Sequence, residues 1–187
     1  MRMYLNEEPN RLRLVVGWMV DVIVVISIAW FLVFSMGTQI HVSGQSMEPM
    51  FYQGETVLMN RLSYRFSGPE RLDIVVFEKD GKYNMKRVIG LPGETVQIQS
   101  GRLTIDGRMP DVPDGLERVD LAGLAENPVV LKKDEYFLLG DNRENSEDSR
   151  FPNVGNVKRR QIKGRVWLRI KPFSRFGLIG GKWRLEE

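Results

Sequence analysis

The sequence predicts an all-β domain, antiparallel and barrel-like, preceded by one N-terminal transmembrane helix. Two observations carry this. Residues 14–36 form an almost unbroken apolar run. From residue 40 onward, short runs of alternating apolar and polar residues take over, with no amphipathic helix of convincing length. The chain has 187 residues, so roughly 150 lie beyond the span, enough for one domain with a core.

Residues 14–36 read LVVGWMVDVIVVISIAWFLVFSM. At about 1.5 Å per residue they reach roughly 34 Å, enough to cross the hydrocarbon layer. Asp21 is the one charge inside, in the first third, where it can sit near headgroups or face a partner helix. The rival is a cleaved signal peptide. Its apolar region is normally only about 7–15 residues, and no small-x-small cleavage site follows at the right distance. A retained anchor is therefore expected. Arg2, Arg11 and Arg13 precede the span, and no Lys or Arg follows until Arg61. The positive-inside bias puts residues 1–13 in the cytoplasm and residues 37–187 on the outer face of the cytoplasmic membrane.

The strands follow in order. Residues 55–60 (ETVLMN) read as a strand, and residues 73–78 (DIVVFE) as a strand buried on both faces. Residues 95–99 (TVQIQ) alternate cleanly, and residues 102–105 (RLTI) return across Ser100-Gly101, a hairpin signal. Residues 136–139 (YFLL) and 165–170 (RVWLRI) complete the set. The antiparallel sheet is expected to close, or nearly close, into a barrel. Residues 109–128 mix proline, glycine and acidic residues and read as a surface insertion. The tail, residues 172–183, carries Phe173, Phe176, Leu178, Ile179 and Trp183 among basic residues. It is expected to pack on the domain rather than touch a membrane.

Composition removes several classes of function. Lys plus Arg total 27 against 24 for Asp plus Glu, a net charge of +3, too small and scattered for a nucleic-acid surface. There is no cysteine, so disulfides, thiol catalysis and cysteine-ligated metals are excluded. His41 is the only histidine, which rules out a histidine-built metal site.

Ser46 lies in Ser43-Gly44-Gln45-Ser46-Met47-Glu48-Pro49, where Gly44 permits a tight turn and Pro49 stiffens the exit. Alone this is a serine in a loop. Lys86 lies on an expected strand among Met85, Val88 and Ile89. Desolvation there would lower its pKa, as a general base near neutral pH requires. A neutral amine can take the serine proton and leave an attacking alkoxide. Alternation sends Arg87 to the opposite face, free to pair with a carboxylate. Residues 140–150 (GDNRENSEDSR) predict a loop held by side-chain-to-backbone hydrogen bonds, suited to orienting a lysine amine. A calcium loop fits poorly, because Arg143 takes the third position and the glycine and terminal glutamate are misplaced.

Together these segments resemble the bacterial type I signal peptidases, membrane-anchored Ser/Lys proteases that remove signal peptides from exported proteins. The resemblance covers Ser46-Met47-x-Pro49, Arg71-Leu72-Asp73-Ile74-Val75-Val76-Phe77, Lys86-Arg87-Val88-Ile89-Gly90-Leu91-Pro92-Gly93-Glu94 and Gly140-Asp141-Asn142-Arg143-x-Asn145-Ser146-x-Asp148-Ser149-Arg150. It implies Ser46 as nucleophile, Lys86 as general base and Ser146 as the group that orients the Lys86 amine. Asp148 with Arg150, and Asp141 with Arg87, would be supporting ion pairs. The Ser46 backbone N–H would stabilise the oxyanion. Gly44 stands where some members carry a second, serine donor, so only its backbone can help. The family selects small side chains at the first and third positions before the cut, and Ile40, Val42, Met47, Phe51, Val76 and Met85 are the implied pocket. Met50, Phe51 and Tyr52 are expected to dip into the bilayer. The implied partners are signal-peptide-bearing preproteins and the lipid bilayer, with no cofactor, metal or nucleic acid. The sequence departs from the family at Met50, commonly threonine, and across Phe151-Pro152-Asn153-Val154-Gly155. Self-cleaving repressors share the dyad but are cytosolic, which residues 14–36 argue against. A processing peptidase for pilus or conjugation proteins, and an inert anchored binding domain, remain as alternatives.

Overall fold

The computed structural model describes residues 11–65, 67–110, 116 and 118–180. The basic Arg2, much of the proposed insertion (residues 111–115 and 117) and Trp183 lie outside the described residues. The chain divides into two compact units, Met1–Met36 and Gly37–Glu187.

In the first unit, helix α1 runs Arg11–Met36. It is apolar on every side rather than along one stripe, the pattern of a helix meant for a uniformly apolar surrounding. Its Arg11–Phe31 stretch is long and apolar enough to cross a membrane.

The second unit is built from antiparallel strands. These are β1 Gly37–His41, β2 Thr56–Asn60, β3 Ile74–Lys79, β4 Lys82–Gly90, β5 Thr95–Gln99, β6 Arg102–Ile105, β7 Val129–Val130, β8 Glu135–Leu139, β9 Val157–Lys158, β10 Ile162–Lys171 and β11 Gly177–Leu178. The larger sheet has the order β1-β2-β10-β3-β4-β8-β9, with β11 also on β10. A separate sheet has the order β6-β5-β7. Among the described residues, β1 and β9 do not pair, so the sheet stays open where a closed or nearly closed barrel was expected. The predicted β5–β6 hairpin is one reason. It turns at Ser100 (φ 50°) and Gly101 (φ 75°). It joins β7 in a sheet of its own, so those strands add nothing to closing the first.

Strand β3 is buried on both faces because two cores share it. Ile74 and Val76 pack with Val42, Met47, Phe51, Val57, Met59, Met85, Val166 and Ile179. Val75 and Phe77 pack with Tyr64, Val88, Tyr136, Leu138, Val157 and Ile162. Strand β4 pairs with β3 from Lys82 to Arg87, then with β8 from Arg87 to Gly90. Among the described residues, 82–86 therefore keep one edge without a strand partner. In the tail, Ile179 packs into the first core as expected, while Phe173, Phe176 and Leu178 point outward at 82, 60 and 77% exposure.

Candidate active site

The expected dyad is assembled from a turn and a strand. Ser46 sits in a turn closed by Glu48 N–H donating to the Gln45 carbonyl and Phe51 N–H donating to that of Met47. Met47 and Phe51 anchor this turn in the first core. Gly44 takes φ +79°, a conformation that L side chains resist, and nothing lies within 4 Å of where a Cβ would be. Lys86, in the interior of β4, extends to the turn and donates from Nζ to Ser46 Oγ at 2.7 Å.

Lys86 is 4% exposed. Burial pushes its amine down from the ordinary 10.5 to about 8; Asp148, Glu147 and Asp141 pull it back only in part, and Arg150 opposes them. A sizeable fraction of the amine is thus neutral in the mildly alkaline range, where it can accept a proton from the hydroxyl beside it.

Residues 140–150 wrap the pair. Arg87, on the other face of β4 as alternation requires, donates from Nε to Asp141 Oδ1 at 2.7 Å and from Nη2 to Asp141 Oδ2 at 2.6 Å, both groups buried. Arg87 Nη1 also donates to the Leu72 carbonyl. Arg150 donates from Nε to Asp148 Oδ1 at 2.8 Å and from Nη2 to Asp148 Oδ2 at 2.9 Å. These forked pairs each satisfy a buried charge that would be costly alone. The Asp148 carboxylate also accepts from Gly140 N–H. The loop is tied to the nucleophile's own peptide by Asn142 N–H, which donates to the Ser46 carbonyl at 3.1 Å.

Ser146 departs from the expected contact. Its hydroxyl donates to Asp148 Oδ2 at 2.7 Å, and no hydrogen bond joins it to Lys86 among the described residues. The hydroxyl is turned to the carboxylate beside it, and the Lys86 amine is turned to Ser46 Oγ instead. Whatever Ser146 does for the lysine, it does as part of the Asp148–Arg150 cluster.

A cavity of about 70 Å³ opens beside the dyad, between the end of β1 and the unpaired edge of β4. Ile40, Val42, Met47, Val76 and Met85 line it as expected, with His41, Ser43, Gly44, Tyr83 and Asn84. Phe51 does not. It is fully buried beneath the turn, with the Arg169 guanidinium 5.0 Å from its ring centre. For the same reason Phe51 is not available to a bilayer; Met50 is partly buried and Tyr52 is exposed. Tyr83 was open to prediction, since period-two spacing from Met85 along β4 reaches it. Gly140 and Arg143 fall within the quoted motif, but the packing of Gly140 against the distant Ser46 carbonyl is not legible in it. Asp141 and Asp148 are committed to arginines, and among the described residues no cluster of three or more His, Asp or Glu is placed to hold a metal.

A serine hydroxyl held against a buried, weakly basic amine is equipment for acyl transfer, and relatives of the chain have that chemistry in their names. The family model described as "Signal peptidase, peptidase S26" matches residues 15–171. Signal peptidase IB of Staphylococcus aureus is 35% identical over 175 residues, 82% of this chain and 90% of that one. The probable signal peptidase I-2 of Synechocystis is 34% identical over 152 residues, 74% of this chain and 65% of that one. A crystal structure of a signal peptidase I from Enterococcus faecalis is matched at 32% identity and a TM-score of 0.40, over 52% of this chain and 95% of that one. The chain belongs to the signal peptidase family, peptidase S26, and is a membrane-anchored endopeptidase of that family.

Proposed function

We propose that this protein removes N-terminal signal peptides from exported preproteins after small-x-small sites, with Ser46 as nucleophile and Lys86 as general base. The 2.7 Å contact between Lys86 Nζ and Ser46 Oγ carries this assignment. The neutral amine takes the hydroxyl proton as Oγ attacks the scissile carbonyl. No hydrogen bond occupies the Ser46 amide among the described residues, which leaves it available to the oxyanion, with the Gly44 backbone beside it. The protonated amine then gives its proton to the departing amine. An acyl group remains on Ser46, and Lys86 activates the water that releases it. Ser146, Asp148 and Arg150 position the lysine side, and Arg87 with Asp141 positions the loop.

The small cavity supports the preference for small side chains by excluding bulk. An extended substrate can add as a strand along the free edge of residues 82–86, bringing its carbonyl to Ser46. The test is cleavage of a purified preprotein bearing an Ala-x-Ala site by the full chain in detergent, with product N-termini sequenced. Cutting after the second alanine, lost in Ser46→Ala, is the expected result. A folded wild type that leaves the preprotein intact would move the weight to a specialised substrate or a binding domain.

The positive-inside bias supports a cytoplasmic N-terminus and a catalytic domain on the outer face of the cytoplasmic membrane. Phe173, Phe176 and Leu178 support a lipid contact. They stand exposed beside Arg175, which binds Glu55 Oε1 at 2.6 Å and lies 4.9 Å from the ring centre of Tyr52 in the segment after Ser46. Replacing all three by serine is expected to slow cleavage of a vesicle-embedded preprotein several-fold, given the transfer energy of large apolar side chains. A soluble peptide should be cut at the wild-type rate. Equal rates on both substrates would remove these residues from the membrane contact.

A further inference from the structure

Among the described residues, the Arg143 guanidinium stands near the site with no hydrogen-bonding partner. Its Nε, Nη1 and Nη2 are all withdrawn from solvent, and none has a hydrogen bond among the described residues. Burial lowers its pKa from 12.5 to about 10. The carboxylates that could satisfy it, Asp141 and Asp148, are each held in forked contacts by Arg87 and Arg150. A buried cation left unpaired is costly, and such groups mark places where a ligand completes the structure.

Arg143 forms part of the wall of a second cavity, about 500 Å³, together with Glu48, Pro49, Tyr52 and Asn142. Glu48 and Pro49 follow Ser46 in its own turn, Tyr52 comes directly after that turn, and the Asn142 N–H is bonded to the Ser46 carbonyl. The small cavity is lined on the nucleophile's side by residues up to Met47, with Val76 and β4 opposite. The nucleophile's turn thus separates two cavities. A peptide crossing Ser46 with its small side chains in the first leaves the residues after the cut to the second.

Resting on the function proposed above, we propose that the Arg143 cavity is the binding site for the leaving-group side of the substrate, with the Arg143 guanidinium donating to a main-chain carbonyl oxygen just after the scissile bond. The charges favour a neutral acceptor over an acidic side chain. Arg118 is paired with Asp120 and Arg87 with Asp141, which leaves Glu48 and Glu144 in the wall against Arg143. A substrate carboxylate would meet an excess of negative charge, whereas a peptide carbonyl would not. Recognition of the main chain is also independent of sequence, as a broad clientele requires. A planar fork of donors suits this role, and a lysine reproduces it only in part.

The test compares wild type, Arg143→Met and Arg143→Lys in detergent on three peptides sharing one Ala-x-Ala segment. One continues for six residues with no acidic side chain, one continues with Asp and Glu, and one ends at the cut in a chromogenic anilide. For Arg143→Met the expected result is a fall of about 10–100-fold in kcat/KM on both long peptides, the usual weight of a hydrogen bond from a charged group. The anilide should be cut at the wild-type rate, Arg143→Lys should fall between, and melting should not shift downward. Equal loss on all three peptides would make Arg143 a structural residue and overturn the proposal. Loss confined to the acidic peptide would overturn it in favour of carboxylate recognition. Undiminished cutting of both long peptides would leave the cavity without this role. A wild type inactive on every peptide would instead overturn the function on which the proposal rests.

Discussion

Lys86→Met is expected to abolish cleavage and, at the same time, to make the protein more stable. The activity side follows from the contact with Ser46 Oγ. With no base beside it the hydroxyl stays protonated, and a loss of about 10⁴-fold or more is the scale for removing half of a nucleophile–base pair. Lys86→Arg should be equally inactive, since a guanidinium does not become neutral in the working range. The stability side follows from the pKa. Folding lowers the amine from 10.5 to about 8, so the folded state binds its proton less well than the unfolded state does. Below pH 8 both states are charged, and the whole cost of burying the charge is present. It fades as pH rises from 8 to 10.5 and is gone above that. At pH 7 the shift corresponds to about 3 kcal/mol, from which the lost hydrogen bond to Ser46 must be subtracted, leaving a gain of about 1–3 kcal/mol for the methionine. Thermal unfolding of the full chain in detergent should show a higher midpoint for Lys86→Met at pH 7 and little difference near pH 10.5. In the wild type, kcat/KM should rise with pH along a limb with an apparent pKa near 8 and then level. A limb near 10.5, or a methionine variant less stable at pH 7, would mean that Lys86 is not the desolvated base.

Which of these features could be read from the sequence depended on how local their causes are. Period-two patterning placed β3, β5, β6, β8 and β10, because each strand's own side chains decide which face is buried. The same alternation separated Lys86 from Arg87, and they do reach Ser46 and Asp141 respectively. Strand order was not legible in the same way. Strand β10 lies between β2 and β3, and two register shifts against β2 bend it, a pairing no local pattern announces. Closure of the sheet is likewise a long-range property, and β5, β6 and β7 form a sheet of their own rather than extending the larger one. Phe51 shows the limit at the scale of one residue. An aromatic between Met50 and Tyr52 reads as part of an exposed apolar tip, but the turn at residues 45–51 rolls it inward against Val57 and Met85. Ser146 shows the limit for chemistry. The motif implied a lysine partner, whereas in the fold the Ser146 hydroxyl is bound to Asp148 and the lysine to Ser46.

Gly140→Ala is expected to lower kcat/KM by about 100-fold or more, through space rather than backbone conformation. Gly140 does not occupy the left-handed region; what singles it out is that two parts of the site, Ser146 and the Ser46 peptide, converge on it. A Cβ there would lie 2.1 Å from Ser146 Oγ, 2.5 Å from Ser146 Cβ and 2.5 Å from the Ser46 carbonyl oxygen. Carbon contacts prefer about 3.5–4.0 Å, so the neighbours must give way by roughly 1 Å. Neither is a flexible tip. The Ser46 carbonyl is the acceptor for Asn142 N–H, and Ser146 is bound to Asp148, which also takes the Gly140 N–H. Whichever yields, the nucleophile or the cluster behind Lys86 is displaced, and a misplacement of about 1 Å at a reacting centre is worth around 10²-fold. Overpacking should also lower stability by about 1–3 kcal/mol. The control is Gly107→Ala, where φ is +74° and nothing lies within 4 Å of the added Cβ. That change carries a backbone penalty of about 1–2 kcal/mol and should leave the rate unaltered. Gly140→Ala combined with Ser146→Ala removes the Oγ contact but leaves those with the Ser146 Cβ and the Ser46 carbonyl, so the double variant should stay well below Ser146→Ala alone. Wild-type turnover by Gly140→Ala would show that the loop and the nucleophile's turn are not packed against one another as described. If the double variant matched Ser146→Ala alone, the clash with Ser146 Oγ would be at fault, and the Ser46 peptide would have room to spare.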